Sequence, residues 1–155
     1  MISTHRKNTQ TLLERLKDCD LCPRECHVDR TFGELGECGQ SDKIKISSAN
    51  LHFGEEPPIS GHNGSGTIFL TGCNLKCVYC QNYPISQMQN GREVSPLTLV
   101  DSILRLQECG AHNINFVTPT HFNAQIADVI VTARERGLKI PIVYNSSGYD
   151  KVDVL

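Results

Sequence analysis

The fold of this chain is decided by the stretch Thr67-Ile68-Phe69-Leu70-Thr71-Gly72-Cys73-Asn74-Leu75-Lys76-Cys77-Val78-Tyr79-Cys80. Its first four residues form a short apolar run that is typical of a buried β-strand. Three cysteines, spaced C-x3-C-x2-C, follow that strand directly on one loop. Because the active sites of α/β sheets and barrels lie at the carboxyl ends of their strands, we expect the three thiolates to converge there on one inorganic cluster.

The number of cysteines in this loop indicates a reactive centre. A structural 4Fe–4S cluster normally takes four cysteine ligands. Cys73, Cys77 and Cys80 would leave one iron without a protein ligand, and an open coordination position is what a reactive metal site needs. The alternative is a zinc site or inert buried thiols, although zinc favours four ligands, commonly in C-x2-C pairs.

A second group of cysteines lies near the N-terminus, where Cys19, Cys22, Cys26 and Cys38 occur in a segment with little apolar material. Four thiolates close a coordination shell, which predicts an auxiliary site for structural zinc or for a second Fe–S cluster. The alternative is that these thiols are free and that the following domain holds the segment. We therefore predict an N-terminal helix and Cys-rich module over residues 1–42 and an α/β core over residues 43–155.

The composition is ordinary for a globular chain, with one exception. The 155 residues include 15 Lys and Arg against 17 Asp and Glu, which gives no electrostatic basis for a general nucleic-acid binder. No apolar run is long enough to span a bilayer, and no apolar stretch follows the basic residues at the N-terminus, so we expect a cytoplasmic protein. Eight cysteines are many for that compartment, where disulfides are rare, and this favours metal or Fe–S ligation.

The rest of the chain alternates predicted strands and helices. The predicted elements are a helix over 8–18, extended chain over 43–53, a strand over 67–70, a helix from Pro96 to Gly110, a strand over 114–117, a helix ending at Gly137, a strand over 140–144 and a helix beginning after Gly148. Ser95 is the expected N-cap of the helix that begins at Pro96. This order implies parallel strands joined by right-handed crossovers.

The cysteine loop resembles a known family motif. With Tyr79 as the aromatic residue, C-x3-C-x-aromatic-C is similar to the cluster motif of the radical S-adenosylmethionine enzymes. Stretches over 52–61, 64–69, 80–83 and 113–121 resemble the branch that is similar to pyruvate formate-lyase activating enzyme. The resemblance implies a 4Fe–4S cluster on the three cysteines and S-adenosylmethionine on the fourth iron. It also implies reductive cleavage of that cofactor to a 5′-deoxyadenosyl radical, which would abstract hydrogen from an unknown substrate, including a glycyl-radical protein as a candidate.

The ends of the later strands supply candidate cofactor contacts. Many members of the family carry Gly-Gly-Glu after the second strand, whereas this chain carries Thr118-Pro119-Thr120-His121. The hydroxyls of Thr118 and Thr120, and the side chains of Asn145 and Ser146 after the third strand, are candidates to bind S-adenosylmethionine, as is Tyr79 in the cysteine loop. The alternatives are that Thr120 caps a helix and that Asn145 and Ser146 form a polar turn.

The family resemblance also implies an architecture. It predicts a partial TIM-type barrel of about six strand–helix units, of which the sequence supplies about three parallel strands. The expected fold is thus α/β, an incomplete (βα) barrel with a small N-terminal Cys-rich module. Three explanations would account for the missing strand–helix units. The chain is a fragment of a longer protein, a split-gene product completed by a C-terminal polypeptide, or an inactive remnant. The implied partners are S-adenosylmethionine, an electron donor such as flavodoxin or ferredoxin, and a protein substrate.

Two other functions remain open from the sequence. A non-catalytic Fe–S electron carrier would need a fourth thiolate, for which Cys109 is the available residue, although we expect Cys109 to be a buried small hydrophobic side chain. A zinc-binding interaction module would use the α/β segment as a scaffold.

Overall fold

The computed structural model describes residues 2–155, and their side chains from residue 4 onward. Met1, at which the predicted N-terminal module begins, lies outside these residues. The helices are α1 (Ile2–Glu14), α2 (Pro57–Ser60), α3 (Tyr83–Ser86), α4 (Pro96–Glu108) and α5 (Asn123–Glu135). The strands are β1 (Lys45–His52), β2 (Ser65–Leu70), β3 (Arg92–Glu93), β4 (Ile114–Val117) and β5 (Ile142–Asn145). Three 3-10 turns cover Arg15–Asp18, Arg30–Phe32 and Thr120–Phe122.

Within the described residues, the five strands form one mixed sheet in the order β3-β1-β2-β4-β5. The strands β2, β4 and β5 run parallel, whereas β1 is antiparallel to both of its neighbours. The sequence does not predict β3, because its two exposed charged residues show no apolar alternation. The predicted extended segment over 43–53 is the antiparallel strand β1. The closure of this sheet into part of a TIM-type barrel stays a prediction.

The main core lies between one face of the sheet and the helices α4 and α5. Alternate strand residues such as Ile68, Ile114 and Phe116 point to this face and are fully buried. The Ser95 hydroxyl accepts a hydrogen bond from the Thr98 N–H at 3.1 Å, which confirms Ser95 as the N-cap that starts α4. Because β2, β4 and β5 run parallel, their carboxyl ends lie at the same edge of the sheet.

The opposite face of the sheet is more polar. Thr67 and Asn115 are paired across β2 and β4, and both are fully buried. The Asn115 amide donates a hydrogen bond to Glu55 Oε1 at 3.2 Å, and the Asn115 Oδ1 has no partner within the described part of the chain. A buried polar face of this kind differs from the apolar face that the helices cover.

The N-terminal segment packs against the α/β core. The helix α1 contacts α5, and Arg6 forms ion pairs with Asp128 and Glu135 on that helix. A second apolar cluster joins Leu16 and Leu21 to Ala124 of α5. The segment that contains the four cysteines is therefore tied to the helix layer by apolar packing as well as by charge.

Two local expectations are wrong. The residues after Gly148 form turns, and no helix occurs between 149 and 155. Cys109 is exposed and not buried, because it follows the last residue of α4 and its backbone N–H bonds to Arg105 at the end of that helix. Over residues 2–155, none of the helices combines the length and apolarity that a membrane crossing requires.

Candidate functional site

The cysteine loop leaves β2 at the carboxyl end of the strand. Its first turn is held by Gly72, whose N–H donates to the Ile85 carbonyl at 3.0 Å. Gly72 has a φ of +87°, and a Cβ at this position would lie 2.7 Å from the Cys38 carbonyl oxygen. Only glycine combines this backbone angle with so close an approach, so the loop and the N-terminal cysteine segment touch directly here.

The three thiols of the loop are half-buried and braced from α3. The Cys73 Sγ accepts the Leu75 N–H at 3.4 Å, and the Cys80 Sγ lies 3.2 Å from the Ser86 hydroxyl. The Gln87 amide donates to the Cys77 carbonyl at 2.8 Å. The loop is therefore positioned by backbone and side-chain hydrogen bonds that leave the thiols accessible.

The tip of the loop faces solvent. Val78 is 94% exposed and Tyr79 is 85% exposed, so neither side chain serves the core. An exposed aromatic ring next to a cysteine cluster offers a flat apolar surface to a ligand.

The exposed Cys109 lies at the other end of the sheet. It ends α4, and the chain then returns to the sheet, where the His112 N–H bonds to the Gly64 carbonyl at 3.1 Å just before β2 begins. The cysteine loop follows the last residue of the same strand. The fold thus separates Cys109 from the other three thiols, which removes it as their fourth ligand.

A strained residue follows the last residue of β4. Thr118 has a φ of +59°, a left-handed conformation that is a genuine outlier for a β-branched side chain. Its N–H donates to the Asn145 carbonyl at 2.9 Å, which fastens the ends of β4 and β5 to each other. Strain of this kind costs on the order of 1–3 kcal/mol and is concentrated at functional sites.

The carboxylate of Asp150, which follows β5 and was not predicted as a site residue, accepts hydrogen bonds from three hydroxyls. Asp150 accepts hydrogen bonds from Thr120 at 2.6 Å, from Ser146 at 2.6 Å and from Tyr144 at 3.0 Å. Burial raises the pKa of the Tyr144 hydroxyl well above its usual range, so this group stays a donor. A single aspartate in a polar loop has no spacing signal, and only the fold brings Asp150 to these hydroxyls.

The interpretation of Thr120 as the N-cap of the following helix is wrong, because Phe122 precedes the first residue of α5. Thr120 is the first residue of a 3-10 turn, it is fully buried, and its hydroxyl is bound to Asp150. Ser146 is half-buried and its hydroxyl donates to the same carboxylate of Asp150, whereas Asn145, the last residue of β5, is exposed. The structure therefore brings Thr120 and Ser146 together and leaves the Asn145 side chain at the surface.

His121 links the end of β2 to the segment after β4. Its Nε2 lies 2.8 Å from the Thr71 carbonyl and therefore donates to it, and the ring is 1% exposed. Burial lowers the pKa of His121 to about 4, an effect to which the nearby Arg30 adds. The ring is thus neutral at physiological pH and serves as a fixed donor and not as a proton carrier.

The N-terminal cysteines lie together beside this edge. Cys19, Cys22 and Cys38 are buried and Cys26 is half-buried. The Cys26 Sγ accepts the Glu37 N–H at 3.2 Å. In residues 2–155, no three His, Cys, Asp or Glu side chains are already arranged as a metal site, so metal binding by either cysteine group requires side-chain adjustment.

The comparison with protein families decides the membership of the chain. Residues 67–155 match the model of the Radical SAM superfamily, which is more than half of the sequence and includes the cysteine loop. The chain belongs to the radical SAM superfamily. Members of this superfamily generally bind a 4Fe–4S cluster and S-adenosylmethionine, and the three half-buried thiols are a donor set that fits such a cluster.

Two proteins of Methanocaldococcus jannaschii are similar to this radical SAM chain. It is 32% identical to uncharacterized protein MJ0674 over 88% of its own length and 28% identical to uncharacterized protein MJ0808 over 81%. The aligned region spans 40% and 43% of the lengths of these relatives. No solved structure matches the sequence significantly.

Proposed function

We propose that this chain carries the cluster-binding part of an enzyme that cleaves S-adenosylmethionine reductively and directs the resulting 5′-deoxyadenosyl radical at a C–H bond of a substrate. The observation that carries the proposal is the C-x3-C-x2-C loop at the carboxyl end of β2, within the region that matches the superfamily. Cys73, Cys77 and Cys80 would each bind one iron of a 4Fe–4S cluster. When bound, the reduced cluster supplies the electron that breaks a sulfonium C–S bond of the cofactor.

The residues of the loop prepare the thiols for this role. The Leu75 N–H donates to the Cys73 sulfur and the Ser86 hydroxyl contacts the Cys80 sulfur, and such hydrogen bonds to thiolates tune Fe–S centres. The separation of Cys109 from the loop supports three protein ligands instead of four. The fourth iron would then be left for the amino and carboxylate groups of S-adenosylmethionine.

The ends of β4 and β5 are proposed to hold the rest of the cofactor. Thr118 and Asn145 lie at adjacent strand ends and are fastened by a 2.9 Å hydrogen bond between their backbones. Thr120 and Ser146 share the carboxylate of Asp150, which orients the Ser146 side chain at this edge. The exposed ring of Tyr79 completes the set from the cysteine loop.

The substrate is proposed to approach the polar face of the sheet. Thr67 and Asn115 lie on that face in β2 and β4, and the orphaned Asn115 Oδ1 is an acceptor for a donor group. A glycyl-radical protein is the substrate class that the resemblance to activating enzymes suggests. Because the chain covers less than half of its relatives, we propose that further strands, an electron donor such as flavodoxin or ferredoxin, and a cytoplasmic setting complete the activity.

The test is electron paramagnetic resonance of the anaerobically reconstituted and reduced chain, with and without S-adenosylmethionine. We expect a 4Fe–4S signal whose shape changes when the cofactor is added. A Cys77→Ser variant should lose both the signal and the change, and the matched Cys109→Ser variant should keep both. A signal that ignores the cofactor would indicate a non-catalytic Fe–S protein or an inactive fragment, and zinc in place of iron at the three cysteines would indicate a zinc-binding module.

A further inference from the structure

We propose that Cys19, Cys22, Cys26 and Cys38 bind one zinc ion as a closed tetrathiolate centre, that this centre is the buried counter-charge of Arg30, and that it supports the radical SAM cysteine loop. The inference does not depend on the radical chemistry, because it is argued from contacts of the N-terminal segment and is tested by metal content.

The first observation is that the four thiols share one region. The sulfurs of Cys26 and Cys38 lie 3.5 and 3.6 Å from the position of a Cβ on Gly36, so both face the same small volume. The backbone folds back on itself here, because the His27 N–H donates to the Cys19 carbonyl and the Glu25 N–H donates to the Cys22 carbonyl, each at 3.0 Å, which brings Cys19 and Cys22 beside Cys26. Zn–S bonds of about 2.3 Å require only that these neighbouring side chains close on one point.

The second observation is a buried cation, Arg30, with no carboxylate partner in the described part of the chain. Arg30 is 1% exposed, and its guanidinium donates to the Ser41 carbonyl at 2.6 and 3.0 Å and to the His121 carbonyl at 2.8 Å. Its Nη1 also lies 3.8 Å from the Cys19 sulfur. Among the residues that the structure describes, no Asp or Glu forms an ion pair with Arg30.

A buried guanidinium is costly unless an anion accompanies it. An uncharged thiol does not meet this need, whereas a metal-bound cysteine is a thiolate. A divalent ion with four thiolates carries a net charge of about −2, since each metal-bound cysteine is deprotonated. The metal centre would therefore supply the anion that Arg30 lacks.

The donor set favours zinc over an Fe–S cluster. The C-x2-C pair and the closed shell of four sulfurs are features of structural zinc sites, and the spacing differs from the ferredoxin pattern. The Glu37 N–H donates to the Cys26 sulfur at 3.2 Å, and Arg30 points to the Cys19 sulfur. Such outer contacts stabilise ligating thiolates.

The same segment holds the radical SAM cysteine loop. The Arg24 guanidinium donates to the Asn74 carbonyl at 2.8 Å, and the buried Asn74 amide lies beside the Cys22 thiol. The Asn74 amide also donates to the Tyr149 carbonyl at 3.0 Å, which links the loop to the segment after β5. On the loop itself, Lys76 pairs with Glu37 at 3.4 Å. A metal at the N-terminal cysteines would therefore hold in place Arg24, which binds Asn74, and Glu37, which pairs with Lys76.

The test separates the two cysteine groups. The full chain and its Cys73→Ser/Cys77→Ser/Cys80→Ser variant are purified anaerobically, and zinc, iron and sulfide are measured per chain. We expect close to one zinc in the variant, with iron and sulfide reduced to background. Adding Cys22→Ser to the triple variant should remove the zinc, and adding Cys109→Ser should leave it unchanged. A triple variant that retains iron and sulfide, or holds no zinc, would overturn the assignment.

A second measurement keeps the test informative if the Cys22→Ser protein does not fold. The triple variant is stripped of metal and titrated with cobalt(II), and we expect the intense sulfur-to-cobalt absorption of four thiolates, bleached by one equivalent of zinc. An Arg30→Met change in the same background should weaken cobalt binding about 10- to 100-fold, the usual effect of losing an outer contact. Absorption typical of fewer thiolates refutes the four-cysteine site, and unchanged affinity in Arg30→Met refutes the counter-charge.

Discussion

The burial of His121 makes a quantitative prediction about acid stability. Its ring is inside the protein, donates through Nε2 to Thr71 and has a pKa of about 4, against an ordinary value of 6.5. As the pH falls through this window, the unfolded chain takes up a proton that the folded chain refuses. The stabilising contribution of the neutral ring is therefore present above pH 6.5 and is lost progressively as the pH falls towards 4.

The size of the effect follows from the two pKa values. Between pH 7 and pH 5, linkage to a group with these values removes about 2 kcal/mol from the free energy of unfolding. The carboxylates with depressed pKa values, namely Glu14, Asp20 and Asp29, act below their ordinary values of 4.5 and 3.8, so they contribute little in this window. Arg30 contacts His121 through its hydrogen bond to the His121 carbonyl, at 2.8 Å.

The assay is urea unfolding at pH 5, 6 and 7 under anaerobic reducing conditions, with the metal content of each sample measured. The His121→Gln variant replaces the ring with a neutral group that can still donate to Thr71, and His62→Gln at an exposed loop position is the matched control. We expect the wild type and His62→Gln to lose about 2 kcal/mol more than His121→Gln between pH 7 and pH 5. Equal pH dependence in all three proteins would show that His121 titrates normally and would refute the reasoning.

Four further changes test the fold around the site. Asp150→Ala removes the shared acceptor of three hydroxyls and should cost about 1–3 kcal/mol in urea unfolding, whereas a cost near zero would mean that the network is not formed. Phe116→Ala empties a fully buried position between the sheet and its helices and should cost about 3–5 kcal/mol by calorimetry, a loss that a loosely packed core would not show. Thr118→Gly relieves a left-handed β-branched residue and should raise the unfolding free energy by up to about 1 kcal/mol, and a marked loss would contradict the assigned backbone angle. Cys109→Ser alters an exposed thiol after α4 and should change stability by less than about 0.5 kcal/mol, so a large loss would place Cys109 in the core after all.

Much of the fold was predictable because its signals are local. The apolar run 67–70 and the later apolar runs between predicted helices predict strands that the sheet contains. The Ser95-Pro96 pair predicts the start of α4, because helix capping depends on neighbouring residues only. The short charged strand β3 lacked any such signal. The residues after Gly148 predict a final helix, but the chain forms turns there. Element boundaries depend on tertiary contacts that periodicity does not report.

The candidate site divides in the same way. The C-x3-C-x-aromatic-C motif of Cys73, Cys77 and Cys80 predicted the superfamily to which the family match assigns the chain, because such a motif is encoded in residues close together in the sequence. Asp150 could not be found in this way, since its three hydroxyl partners come from different segments of the chain. The departure from Gly-Gly-Glu at Thr118 was visible in the sequence, but its strained backbone angle was not.

The sequence by itself determined which thiol groups this protein offers to a metal, because a metal motif is a matter of residue type and local spacing. It placed three thiols after a strand and four more in an N-terminal segment. Only the tertiary structure decided that the two groups touch, through Gly72 against the Cys38 carbonyl and through Asn74 beside Cys22. It also decided that Arg30 is buried and that, among the described residues, no Asp or Glu forms an ion pair with it, because burial and pairing depend on residues far apart in the chain, such as Ser41 and His121.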